Sequence, residues 1–335
     1  MENLLVKVAN ITEFLSLEPS FIIDVRSPRE FAYSHIPNAL NYPVLKDSEY
    51  EKIGTIYKQN SFNAKAMGAS FVCQNIANHL LELKDILSPA KPFGIYCARG
   101  GMRSHSFYEV LKKIGYQVIL LEGGYKAYRT EVLKYLNTPL KHRFITLIGQ
   151  TGCGKSEIIH SFANSLDIES LARHFGSSFG GVLGAQPSMK YFYDLLFMHL
   201  RKLENAPFVL VEGESKKLGS LILPSLLYET YHKAEKILIL SPLEDRIKRI
   251  IAQYGKISKE FFETSMQKIA PFMKKNFWEE AKSAFYAKNL EKVAEILLLE
   301  YYDKVYKKDS FSHSIMHTNI QNTLQEIQDF ANTLK

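Results

Sequence analysis

Apolar residues in this chain follow two patterns. Short, nearly unbroken runs at 21–25 (FIIDV), 93–96, 118–121, 144–148, 207–211 and 237–240 have the length and composition of strands buried on both faces. Elsewhere apolar positions return at helical spacing, as Ile76, Leu80, Leu83 and Leu87 do before the breaking segment 88–92. The same spacing recurs at Phe261, Phe262, Met266, Ile269, Phe272 and Met273, and again over 290–306. Strands that alternate with helices predict parallel sheets covered on both faces, an α/β fold. After the strand at 237–240, SPLEDR predicts a capped helix start, with Ser241 as N-cap, Pro242 at the first helical position and Glu244 closing a capping box. The tail from Ser310 is polar and ends in a short helix.

A chain of 335 residues is too long for one comfortable core. The polar segment NTPLKHR at 137–143 reads as a linker between a first domain, 1–136, and a second, 144–335, whose region from about 256 is helical and basic. The net charge of +7 is modest, but residues 246–308 hold 14 Lys and Arg against 8 Asp and Glu, so most of the excess lies there. Basic helices are most often solvated surfaces; beside catalytic domains they also suit a polyanionic partner. No apolar run reaches membrane-spanning length and the N-terminus lacks signal-peptide architecture, so a cytoplasmic protein with no membrane partner is expected. Cys73, Cys97 and Cys153 form neither a paired framework nor a metal-ligand spacing, which fits a reducing compartment.

The chemistry concentrates in two glycine-rich loops. In IYCARGGMRS, 95–104, a buried strand delivers Cys97 to a loop ahead of a helix over 103–113. Orphan N–H groups, the positive end of the helix dipole, Arg99 and Arg103 favour an anionic sulfur there, and Gly100 and Gly101 let backbone N–H groups converge on an anion. A packed core has no need of one Cys, two Arg and two Gly within seven residues. Asp24, Arg26, Glu30 and His35, spaced too irregularly for one helix face, read as loop groups that tie a strand end to its neighbours.

The second loop, GQTGCGKS at 149–156, satisfies the P-loop pattern between a strand and a helix. Gly149, Gly152 and Gly154 permit the turn, Lys155 would reach the outer phosphate and Ser156 could hold Mg²⁺. Glu212 and Glu214, at the end of the strand 207–211, stand where a metal or an attacking water is managed beside a P-loop; the plainer reading is a helix cap or a pair with Lys216. Between them lies a glycine-rich insert, 171–184, with Arg173, His174, Ser177 and Ser178, more suited to closing over a ligand than to supporting a core.

In order along the chain, DVRSPREF with SHIPNA, YCARGG and LLEGG resemble the rhodanese domain, a sulfur-carrying fold with one catalytic cysteine. The Cys97–Arg103 spacing also occurs in cysteine phosphatases, which leaves phosphoryl chemistry open for this domain alone, although no general acid is identifiable. With the P-loop domain directly after it, and with IGTIYKQ (53–59), GGYKAYR (123–129), LARHFGSSFG (171–180) and VEGES (211–215), nearly the whole chain resembles the bacterial tRNA 2-selenouridine synthase family.

The resemblance implies a rhodanese-like parallel-sheet domain followed by a P-loop NTPase-like α/β domain with a helical C-terminal extension. It implies a tRNA-modifying transferase that converts wobble 2-thiouridine to 2-selenouridine through an S-geranyl intermediate, with geranyl diphosphate and selenophosphate as substrates. Its partners would be the anticodon region of tRNA and an enzyme that supplies selenophosphate. Cys97 matches the selenium-carrying cysteine, with Arg99 and Arg103 on the phosphate; residues 149–156 match the family's P-loop, with Phe175, Phe179 and Phe192 as candidates to line a prenyl pocket. Two departures stand out: Phe175 follows His174 where the family pattern has Arg, and the neighbourhood of Met189 and Tyr193 lacks the family's Gln and Glu. From other classes, the chain could be a rhodanese-type sulfurtransferase coupled to a P-loop kinase or NTPase acting on a small molecule, or a non-catalytic scaffold. A scaffold would have no use for an intact cysteine loop and a complete P-loop.

Overall fold

The computed structural model describes residues 7–17, 21–307 and 309–334. Two compact units emerge, one of 1–135 with 193–197, the other of 136–192 with 198–335.

The first unit is built on a parallel sheet of β1 (Lys7–Ala9), β2 (Ile22–Asp24), β3 (Leu40–Asn41), β4 (Phe93–Tyr96) and β5 (Val118–Leu121), in the order β1-β5-β4-β2-β3. Its helices are α1 (Ile11–Ser16), α2 (Pro28–Tyr33), α3 (Asp47–Tyr57), α4 (Ser61–Leu83), α5 (Met102–Ile114) and α6 (Gly124–Leu136). All four residues of β4 are buried, as its unbroken apolar run requires, and Ile23, Val25, Ile95, Phe107, Leu111 and Leu120 meet in one core. Helix α2 begins inside the polar stretch after β2. Ser27 accepts from the Glu30 N–H, the Glu30 carboxylate accepts from the Ser27 N–H, and Pro28 needs no donor at the first turn. The helix around Ile76 stops at Leu83, four residues short of the apolar series; Leu87 is buried in the core from beyond the helix end. GGYKAYR forms the start of α6 rather than a solvated loop: Tyr125 and Tyr128 are buried, and Arg129 pairs with Asp194 of the same unit.

The second unit carries another parallel sheet, β6 (Phe144–Ile148), β7 (Ser165–Leu166), β8 (Val209–Glu212), β11 (Glu235–Leu240) and β12 (His313–Met316), in the order β12-β11-β6-β8-β7. A small antiparallel pair, β9 (Lys217–Leu218) and β10 (Leu221–Ile222), lies outside it. Helices α7 (Lys155–Ser161), α8 (Ile168–Ala172), α9 (Met189–Lys202), α10 (Ser225–His232) and α11 (Leu243–Tyr254) connect the strands, with residues 193–197 of α9 grouped with the first unit. The expected cap on α11 is not made. The helix starts one residue later with Pro242 at the cap position and no side-chain cap bond, because the Ser241 hydroxyl accepts instead from the Arg249 guanidinium at 2.8 Å.

The basic region is helical, as α12 (Lys259–Ile269), α13 (Lys275–Tyr286) and α14 (Leu290–Leu297), followed by a π-helical turn at Leu298–Tyr302 and α15 (Asp303–Val305). Phe262, Met266, Ile269 and Met273 form its buried face while Phe272 stays exposed, and the Trp278 indole N–H reaches the Met266 carbonyl at 2.9 Å. Lys268, Lys274 and Lys275 are exposed, whereas Lys282 is committed to Glu263 at 2.7 Å. The polar tail holds more than a short helix. It supplies β12 and the 14-residue α16 (Ile320–Thr333), whose Ile327 and Ala331 enter the core. No helix among the described residues is long and apolar enough to cross a membrane.

Candidate functional site

In the first unit β4 ends at Tyr96 and hands Cys97 to a loop that becomes α5 at Met102, with Gly101 at the N-cap. The Cys97 sulfur is nearly buried; it accepts from the Gly101 N–H at 3.2 Å and from the Ser104 hydroxyl at 3.1 Å. Two donors thus converge on one sulfur at a helix N-terminus. The loop is laced to the start of α6: the Tyr125 and Lys126 N–H groups donate to the Cys97 and Ala98 carbonyls at 2.8 and 2.9 Å. That approach needs Gly124, where φ is +56° and a Cβ would lie 2.3 Å from the Cys97 carbonyl oxygen. Gly100, with φ of +65°, is likewise required, but Gly101 is not, since a Cβ there would meet nothing within 4 Å.

The two arginines separate. Arg99 is exposed, whereas Arg103 is bound to Glu30 at 2.6 Å and lies over the Tyr50 ring at 5.3 Å. Burial alone would raise the Glu30 carboxyl, but Arg103 holds it below the ordinary range. Behind the loop, buried Asp24 takes the Arg26 guanidinium and the Tyr96 hydroxyl, the latter at 2.7 Å, so the scattered polar groups do tie strand ends together. From Met102 and Arg103 a largely apolar groove of about 650 Å³ runs between α5, α4 and α3, lined by Ile53, Tyr57, Gly68, Val72, Cys73 and Val110 among others. Met102 to Val110 spans eight helical steps, a wall about 12 Å long.

In the second unit the P-loop joins β6 to α7, and Gly149, Gly152 and Gly154 all have positive φ. A Cβ on Gly154 would meet the ring of buried His317 at 2.4 Å, so residues from beyond β12 press on the loop. Arg246 braces it by donating to the Thr151 carbonyl at 2.9 Å while gripping Asp303 at 2.6 Å. The Lys155 ammonium folds back onto the Gly149 carbonyl at 2.9 Å. Ser156 lies 3.1 Å from a Glu169 oxygen and 2.9 Å from a Glu212 oxygen.

Glu169, Glu212 and Glu214 bring one carboxylate oxygen each within 4.8 Å of one another. Burial pushes all three above the ordinary carboxylate range; repulsion from neighbouring glutamates adds to it at Glu169 and at Glu212, the latter reaching about 7 through burial first and Glu214 second, with Lys155 opposing. These residues line a pocket of about 160 Å³ with Thr151, Lys155, Phe175, Ser177 and Tyr254. The glycine-rich insert closes on it: at Gly176, φ is +60° and a Cβ would lie 2.1 Å from a Glu214 oxygen.

Of the residues singled out from sequence, Lys155, Ser156, Gly152, Glu212, Glu214 and Ser177 converge here. Arg173 does not; it ends α8 in the left-handed conformation, exposed and outside the pocket lining. The three phenylalanines also part company. Phe175 lines the P-loop pocket, Phe192 is fully buried, and Phe179 joins Tyr254, Phe262, Phe285, Val293 and Leu297 around a narrow apolar cleft of about 60 Å³. That cleft shares Thr151, Ile250 and Tyr254 with the P-loop pocket. Glu169 escaped the sequence reading. It lies in a short helix after a two-residue strand, and the only signal was Asp167, the N-cap whose side chain accepts from the Ser170 N–H.

Comparison with known proteins adds the following. Residues 9–131 match the family model described as a rhodanese-like domain, and residues 142–264 match that described as the tRNA 2-selenouridine synthase AAA domain. The tRNA 2-selenouridine synthase of Psychromonas ingrahamii is 32% identical over 247 residues, covering 73% of this chain and 68% of that protein. That of Nitrosomonas europaea is 37% identical over 242 residues, 70% of this chain and 63% of that protein. That of Shewanella frigidimarina is 35% identical over 245 residues, 72% and 67% respectively. The aligned region thus spans about two thirds of these relatives.

Proposed function

The chain belongs to the tRNA 2-selenouridine synthase family, and from that premise we propose that it replaces sulfur by selenium at C2 of wobble 2-thiouridine in tRNA. The observation that supports this most is the Cys97 sulfur held by the Gly101 N–H and the Ser104 hydroxyl at the head of α5, an arrangement that core packing does not call for.

In this reading selenophosphate binds beside Cys97 with its selenium already at the selenide level, so no oxidant is needed. The loop N–H groups and exposed Arg99 meet its phosphate, while Arg103, committed to Glu30, fixes the shape of the loop. The base is activated beforehand by geranylation of its sulfur: the C–Se bond forms from selenophosphate as the bond to geranylthiolate breaks, since an alkylthiolate leaves more readily than sulfide. The Cys97 sulfur then takes the phosphoryl group from selenium and loses it to water. The P-loop would hold the diphosphate of geranyl diphosphate, with Lys155 stabilising charge as the allylic C–O bond breaks. The prenyl chain would enter the cleft that adjoins the P-loop pocket at Thr151 and Tyr254; at about 60 Å³ that cleft would have to open to admit it. The groove leading from Met102 would take the displaced geranylthio chain beside Cys97. Exposed Lys268, Lys274 and Lys275 would contribute backbone contacts to tRNA.

Mass spectrometry of wobble nucleosides from cells with and without this gene tests the reading. Geranylthio- and selenouridine should both depend on the gene. ATP turnover in the absence of tRNA, with no change in nucleosides, would favour a sulfurtransferase coupled to a P-loop kinase or NTPase.

A further inference from the structure

A P-loop usually meets its divalent ion with a hydroxyl and one acidic residue, and phosphate oxygens supply much of the remaining shell. Here three carboxylates converge, from α8, from the last residue of β8 and from two residues beyond it. A side-chain hydrogen bond joins Glu169 and Glu214, but the remaining donors are few. Ser156 has one hydroxyl hydrogen and stands within bonding distance of both Glu169 and Glu212, so it serves one at a time. The Lys155 ammonium is turned to backbone carbonyls of its own loop. Glu212 is 1% exposed, lines the pocket, and its Oε2 has no hydrogen-bond partner among the described residues. A buried carboxylate oxygen without a partner is costly, and two further carboxylates beside it make the cost larger.

Hard oxygen donors gathered around an unmet negative charge suit Mg²⁺ or Mn²⁺. We propose that Glu169, Glu212, Glu214 and the Ser156 hydroxyl form a resident divalent-cation site that fills in the absence of any phosphate ligand, and that this loading must precede entry of a diphosphate. The second half rests on the proposed use of the P-loop for a diphosphate; the first half does not. The ordering follows from charge. Three glutamates and a single lysine line the pocket, so an entering polyanion meets more acidic than basic groups until a cation bridges them.

The test uses the full chain, stripped with chelator and free of phosphate, titrated with Mn²⁺ by calorimetry and electron paramagnetic resonance at pH 8. One Mn²⁺ per chain should bind. Glu169→Gln and Glu214→Gln should each weaken it by about 10- to 100-fold. Because each Gln removes a like charge from a crowded site, both variants in chelator should unfold at or above the wild-type temperature, yet lose the rise that Mn²⁺ gives the wild type. Inorganic pyrophosphate should then bind the Mn²⁺-loaded protein and not the stripped one.

Mn²⁺ that binds only once pyrophosphate is present would overturn the resident site, as would Mn²⁺ affinity unchanged in both Gln variants. Pyrophosphate binding equally well in chelator would overturn the ordering. Mn²⁺ binding to the protein alone, with pyrophosphate never bound, would uphold the cation site while removing the diphosphate reading of the P-loop.

Discussion

The two glycine-rich loops solve the same backbone problem with opposite charge. Each follows a fully buried parallel strand, β4 or β6, and each opens a helix whose first N–H groups have no partners within it. Around Cys97 the donors are already in place, and the nearby acid, Glu30, is neutralised by Arg103. Around Ser156 the acids outnumber the donors. The first loop is ready for an anion, whereas the second is crowded by acidic side chains. Loop geometry alone would suit phosphate-like groups in either place; in the proposed order of loading, the side chains behind the loop decide what arrives first.

Removing the key atom of each loop should separate their chemistry. Cys97→Ser should lower selenouridine formation by roughly three orders of magnitude or more while geranylthiouridine still accumulates. Selenation at wild-type rate would remove Cys97 from the reaction. Lys155→Ala should act the other way, reducing prenyl transfer about 100- to 1000-fold while selenation of a tRNA already geranylated, followed by nucleoside mass spectrometry, persists. Equal loss of both activities would mean that the loops do not divide the work.

Glycine substitutions sharpen the contrast within the first loop. Gly124→Ala should destabilise its unit by roughly 2–4 kcal/mol in thermal unfolding, since a positive φ and a 2.3 Å approach to a carbonyl act together. Gly101→Ala should change stability by less than about 0.5 kcal/mol, because its backbone is ordinary and its surroundings open.

Acid and base should also act on the two loops with opposite sign. Glu212, raised on folding to about 7 from 4.5, stabilises the folded state fully only below its unfolded pKa. That contribution, at most about 3 kcal/mol, is lost as pH rises through 7. Glu30, lowered on folding, contributes above the unfolded value and loses its share as pH falls through the folded one. In chelator, Glu212→Gln should flatten the alkaline side of a stability profile and Glu30→Gln the acid side. Profiles that match the wild type would show that neither carboxylate titrates as its surroundings dictate.

Much of this was legible in the chain. Buried strands declared themselves as apolar runs, and both loops by local spacing, because strand, glycine turn and helix start are adjacent in sequence. What was not legible depended on distance. Glu169 joins Glu212 and Glu214 only through the sheet order that sets β7 beside β8. Arg103 looked available until the fold brought Glu30 to it from 73 residues away. The cap at Ser241 failed for the same reason, since Arg249, one side of a helix away, took the hydroxyl. Strand β12, four residues with one buried, carried too weak an alternation to stand out in a polar tail.

That late strand has a consequence for how the molecule is made. His317, just past β12, is the wall against which Gly154 rests, so the phosphate loop leaves the ribosome long before its backing is translated. Until those final segments emerge, a nascent chain has the motif without its support, and any nucleotide or diphosphate met on the way would find no finished socket.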